Sequence, residues 1–154
     1  MLLLPEIIAG EILLTEHHLA VTLPESWKQI PEQRPGILLR AESDAGRLRF
    51  ILTKPPVKAT GNVKDAEFQI GIKRSLRDQG FPKLVRSEVI KIAGAEAYLC
   101  EATREDDKPY STLQIVWFQD DAFYSLVFAS LSKPFREVAD VKTIIESVKL
   151  LPKK

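Results

Sequence analysis

The chain has 154 residues, 22 basic and 21 acidic, with a formal net charge of +1 and a hydrophobic fraction of 45%. That length predicts one domain with a core of its own, and the even charge balance argues against a nucleic-acid groove or a polybasic membrane patch. A single cysteine, Cys100, excludes an intrachain disulfide and fits a reducing compartment.

Residues 1–10 form an apolar N-terminal extension, and residues 11–154 are expected to make one domain. Met1 to Leu4 lacks the positive flank of an export signal, and Pro5, Glu6 and Glu11 interrupt the apolar stretch. A cytoplasmic location is expected, with a mature secreted domain as the alternative. No run of residues is long enough to span a bilayer. The extension is open to two readings, a short helix or a strand added to a neighbouring chain, and the second predicts a homodimer.

Glu11 to Thr15 and Leu19 to Leu23 read as two short strands around a Glu16-His17-His18 turn, and Pro24 stops the second. Glu25-Ser26-Trp27 then makes a corner that folds Trp27 back on the sheet edge. Ile30 to Gly36, with Pro31 and Pro35, is a loop. Ile37 to Glu42 and Arg47 to Thr53 are the next strands; the polar Arg47/Arg49 face of the second predicts a place near an edge. Lys54 to Gly61, with Pro55-Pro56, is extended and exposed.

A helix starts at Asn62 as cap, with Asp65 in its first turn and Phe68, Ile72 and Leu76 on one stripe. Ile70 falls nearly opposite, among Lys73, Arg74 and Arg77; these four are the candidate partner surface. Gly80 ends the helix. Leu84 to Ile92 and Ala95 to Thr103 make a hairpin around Ala93-Gly94, with Leu84, Glu88, Ile90 and Ile92 alternating against Val85, Ser87, Val89 and Lys91. Tyr110 to Leu131 is a second hairpin, rich in aromatic and β-branched residues, around Asp120-Asp121. Asp-Asp is a weak signal for a two-residue turn, so a loop of three or four is expected. In the first arm Leu113, Ile115 and Trp117 point one way and Val116 and Phe118 the other; in the second, Phe123, Val127, Ala129 and Leu131 oppose Tyr124, Leu126 and Phe128, so both faces of the ribbon are apolar. Each face therefore needs a cover. Ser132 caps the last helix, whose stripe is Phe135, Val138, Val141, Ile145 and Val148.

The expected fold class is α+β, an antiparallel sheet of about six or seven strands sandwiched between helices. The chemistry-bearing residues make no constellation. His17 and His18 are adjacent and point apart, a poor metal pair. Cys100 sits inside a strand with no activating environment. The carboxylates at 105–107 and 120–121 lack the spacing of a calcium loop. There is no G-x-S-x-G, P-loop or dinucleotide motif. No catalytic, cofactor or metal residue is assigned.

Three segments resemble one superfamily. Leu19–Trp27 (LAVTLPESW), Gly94–Ala102 (GAEAYLCEA) and the aromatic hairpin followed by Phe135–Leu150 are similar to the strand–proline–tryptophan opening, the glycine-led strand and the closing hairpin and helix of the PsbP, Mog and DcrB-like proteins. The resemblance implies an antiparallel sheet between helices. It also implies a non-catalytic protein-binding or adaptor module, accessory to a larger complex or chaperoning a secreted effector. No lipobox cysteine stands near the N-terminus. Two alternatives stay open: a carrier of a small apolar ligand or lipid, with its pocket between the sheet and the 62–80 helix, and an enzyme in which Glu101, Arg104 and Tyr110 converge.

Overall fold

The computed structural model describes residues 10–43, 48–104, 110–130, 135 and 139–151. In chain order the elements are β1 (Glu11–Leu14), a 3-10 turn (Thr15–His17), β2 (Leu19–Thr22), β3 (Trp27–Ile30), β4 (Ile37–Ser43), β5 (Leu48–Thr53), α1 (Ala66–Asp78), β6 (Lys83–Ile92), β7 (Ala95–Arg104), β8 (Tyr110–Gln119), β9 (Ala122–Ser130), α2 (Ala139–Ser147) and β10 (Lys149–Leu150). Seven strands form an antiparallel sheet in the order β3-β4-β5-β9-β8-β7-β6, and β1, β2 and β10 form a second sheet with β2 in the middle. The expected α+β architecture is present.

The central hairpin carries the two-faced pattern into the core. Its register pairs Leu113 with Phe128, Ile115 with Leu126 and Trp117 with Tyr124, and these six belong to one apolar cluster. Over them pack Val141 and Ile144 of α2 and Val148 just beyond it, together with Leu19 and Val21 of β2 and Trp27 and Phe50. The intervening residues Val116, Phe118 and Phe123 join a second cluster with Tyr98, Cys100 and Ala102, covered by Phe68, Ile72 and Leu76 of α1. One face is thus roofed by α1 and the other by α2 with the small sheet. Complete burial of large side chains such as Trp117 and Phe128 contributes roughly 1.5–3 kcal/mol each at the usual transfer values.

Polar contacts fasten the α2 layer. The Ser147 hydroxyl accepts from the Thr22 N–H at 2.9 Å, and the Trp27 indole N–H donates to Asp140 at 3.1 Å. Trp27 therefore opens a strand of its own inside the core, where a corner was expected. β5 lies third from that edge of the sheet, and its Arg49 face meets Glu42 on a side that α1 does not reach.

Local chemistry moves two further boundaries. α1 begins three residues after the expected cap region opens: Asp65 is the N-cap, its carboxylate accepting from the Glu67 N–H, while Asn62 caps the preceding turn at the Lys64 N–H. The helix ends as expected at Gly80 (φ +99°), where Phe81 N–H returns to the Leu76 carbonyl and Gly80 N–H to that of Arg77, the six-to-one and five-to-two bonds of a glycine C-terminal motif. The Asp120-Asp121 loop has two residues, not three or four: Gln119 faces Ala122, and both aspartates sit at positive φ (52° and 59°). The N-cap expected at Ser132 lies outside the described residues, as do residues 1–9. Gly10, assigned to the extension, is tied to the fold: its carbonyl accepts from Leu23 N–H at 2.8 Å.

Candidate functional site

β6 holds the outer edge of the seven-stranded sheet. A bulge between Leu84 and Arg86 inserts Val85 and shifts the alternation by one. Leu84 therefore sits opposite Ala102 on the α1 side, whereas Arg86, Glu88 and Ile90 sit opposite Glu101, Leu99 and Ala97 on the α2 side. The expected single alternation of Leu84 with Glu88 and Ile90 fails at this bulge.

α2 packs against β2 and leaves a groove between itself and β6. The groove holds about 660 Å³ and is lined by Ile90, Leu99, Leu113, Phe135, Val141 and Ile145, with Arg86, Glu88, Lys91, Lys142 and Glu146 at its rim. The rim residue Arg86 holds a carboxylate taken almost fully out of water. Glu101 is 2% exposed and accepts from the Arg86 Nε–H at 2.9 Å; Arg86 in turn lies 3.5 Å from Glu88. Lys142 and Glu146 pair along α2 at 3.8 Å. An apolar trough bordered by neutralised charges suits an apolar segment with a polar edge, and its volume falls within the range of ligand sites.

The α1 side is packed. Phe68 lies 5.5 Å from Phe118 and 6.3 Å from Phe123, ring centre to ring centre. Gly61 abuts the Phe118 ring so closely that a Cβ there would stand 2.6 Å from it. The pocket that the ligand-carrier alternative places between sheet and α1 is thus filled by side chains, and the groove lies under the other helix.

Sequence-expected site residues separate. Ile70 is 53% exposed on the outer face of α1, with Arg74 and Arg77 exposed beside it. Lys73 is half-buried and lies close enough to Cys100 to act on its thiol electrostatically. The thiol is completely buried, and burial pushes its pKa up, which keeps it protonated and inert. Glu101, Arg104 and Tyr110 do not converge. Arg104 stacks over the Tyr110 ring at 5.2 Å, while Glu101 pairs with Arg86 on the other face of β7. His17 and His18 lie on a turn, His18 at φ 55°, and burial together with Lys54 lowers the His17 pKa. Among the described residues no group of three or more His, Cys, Asp or Glu is placed to hold a metal, and no helix is long and apolar enough to cross a membrane. The groove itself was missed: its rim residue Arg86 pairs with a residue 15 apart in sequence across a bulge, and alternation alone does not expose that.

The architecture is that of the PsbP/Mog proteins. Solved structures with this fold include cyanobacterial PsbP (CyanoP) from Synechocystis sp. PCC 6803, at a TM-score of 0.66 and 13% identity over 97% of this chain and 98% of that one. The Ran-binding protein Mog1p of Saccharomyces cerevisiae matches at 0.65 and 7% identity, over 92% and 94%. A protein from Bacteroides thetaiotaomicron matches at 0.63 and 9%, over 95% of this chain; the present chain spans 50% of its length. No protein-family model matches the sequence, and no curated protein does.

Proposed function

We propose that this chain is a non-catalytic protein-binding module whose groove beneath α2 receives an apolar segment of a partner protein. The observation that carries the reading is the groove: apolar walls, open at one side, with Arg86 paired to Glu88 and Lys142 to Glu146 at its rim. A partner segment would cover the walls without having to neutralise a bare buried charge, which keeps the desolvation cost low. That Mog1p is a Ran-binding protein supports a protein partner. The adaptor role proposed is of two kinds, chaperoning a secreted effector or serving as an accessory subunit. The exposed Ile70, Arg74 and Arg77, with Lys73 beside them, are proposed as a second contact surface. A cytoplasmic location is proposed on the lone thiol of Cys100, and pairing of two copies through residues 1–10 is a separate proposal.

A small apolar ligand is the second reading, because a cavity of 660 Å³ accommodates one. Photo-crosslinking separates the two. A benzophenone amino acid at Ile145 in the groove, with Val57 on the exposed loop as control, is expected to give discrete protein adducts in native lysate only from the groove position. Equal labelling at Val57, or saturable uptake of a fluorescent fatty acid with no protein adduct, overturns the protein-partner reading.

A further inference from the structure

β6 is ten residues long, pairs only with β7 among the described residues, and leaves Leu84, Val85 and Val89 exposed by 46%, 47% and 40%. A long edge with exposed apolar residues is a template for another strand. What that strand must be follows from the charges on this one.

A second copy can join antiparallel about a two-fold axis perpendicular to the sheet. Such an axis keeps each face on its own side, so only registers centred on a residue keep side chains in step. Centring on Arg86 or on Glu88 sets like charges opposite each other, which is destabilising. Centring on Val89 sets Glu88 against Ile90 and Arg86 against Ile92. Centring on Ser87 sets Arg86 opposite the partner's Glu88 and Glu88 opposite the partner's Arg86, and brings Val85 to the partner's Val89. In that register Arg86 and Glu88 meet their opposites and Val85 meets Val89 at the centre of the seam, while Lys83 faces the partner's Lys91 at its two ends. Arg86 and Glu88 also line the groove, so the partner's Glu88 would complete the groove wall at the open side.

We propose that this protein forms a homodimer by antiparallel pairing of β6 with its copy, centred on Ser87. The two grooves then lie on the same face of one continuous sheet and adjoin across the seam. This pairing does not depend on what occupies the groove, nor on residues 1–10.

The test is size-exclusion chromatography with light scattering, on the full chain and on three variants at the exposed positions. The wild-type mass rises with concentration towards twice 17.4 kDa. V89D and V85K each hold the mass at that of one chain, with unchanged circular dichroism. The double variant V85K/V89D restores the dimer, because each introduced ammonium meets an introduced carboxylate across the seam. Positions 85 and 89 lie four residues apart on one strand, roughly 13 Å, too far to compensate within a chain. A wild type that stays monomeric at every concentration, a dimer that survives V89D, or a double variant that fails to recover overturns the proposal.

Discussion

Arg86 donates from Nε to the buried carboxylate of Glu101 at 2.9 Å, across the β6–β7 ladder and beside a β-bulge. The pair is asymmetric, since Arg86 is 40% exposed and Glu101 only 2%. Removing the guanidinium strands a buried carboxylate; removing the carboxylate charge leaves an arginine that can turn to water. We expect Arg86→Met to destabilise the fold by about 3 kcal/mol and Glu101→Gln by about 1 kcal/mol. Urea denaturation of the two variants checks the order; equal losses would show that the pair is no more than a surface contact.

The Asp120-Asp121 turn holds two non-glycine residues at positive φ. The geometry is that of a two-residue hairpin connection, which Asn-Gly fits with less strain. The Asp121 carbonyl accepts from the Ala59 N–H at 2.9 Å, a backbone bond that substitution retains. Replacing the pair by Asn-Gly is expected to raise stability by about 1 kcal/mol. Thermal unfolding reads it as a higher Tm, and a lower Tm would mean that the aspartate side chains stabilise the turn.

Two glycines should respond in opposite directions to alanine. Gly71 lies within α1 and a Cβ there meets nothing within 4 Å, so Gly71→Ala gains helix propensity worth about 0.5–1 kcal/mol. At Gly61 the new Cβ would press on the Phe118 ring, and Gly61→Ala should cost about 1–3 kcal/mol. Paired chemical denaturation gives both signs in one experiment, and a neutral Gly61→Ala would show that the Phe68–Phe118 contact yields easily.

Among the described residues, Glu32 and His17 each contribute to the acid side of the stability curve. Glu32 accepts from the Arg34 and Arg40 guanidinium groups, and chiefly the Arg34 bonds hold its carboxyl far below the ordinary value of 4.5. A depressed carboxyl contributes stability that is present above pH 4.5 and is lost as the pH falls beneath it. His17 is a base whose pKa is lowered, first by burial and then by Lys54. The unfolded chain therefore takes up its proton before the folded one, and stability falls as the pH drops through 6.5. Denaturation midpoints against pH should lose their decline below pH 4.5 in Glu32→Gln and become flatter between pH 7 and 5 in His17→Gln. Profiles parallel to wild type would contradict both assignments.

The two-layer core was legible because Leu113, Ile115 and Trp117 alternate with Val116 and Phe118, and an ordinary alternation places each residue on a face. The glycine stop at Gly80 was legible for the same reason, a local rule with a local cause. β3 was not: Trp-Lys-Gln-Ile buries only its tryptophan, so four residues carry no period. β10 has two residues and exists through its pairing with β2. The α1 start was displaced because Asn62 and Asp65 are both competent caps, and each caps a different turn. The groove was hidden for a tertiary reason. The extra residue at Val85 moves Arg86 onto the face of Glu101, and nothing in the local pattern of either strand announces the meeting.

The central claim is that α1 and α2 lie on opposite faces of the central ribbon, one against a filled interface and the other beside an open groove. Spin labels on cysteines introduced at Arg74 and Thr143 measure this directly, since both positions are exposed and native Cys100 is buried beyond labelling. Helices packed about 10 Å above and below a sheet place outward labels about 35 Å apart, and the account predicts a pulsed-EPR distance near that value. A distance of about 20 Å or less, the spacing of labels on neighbouring helices on one face, would contradict it.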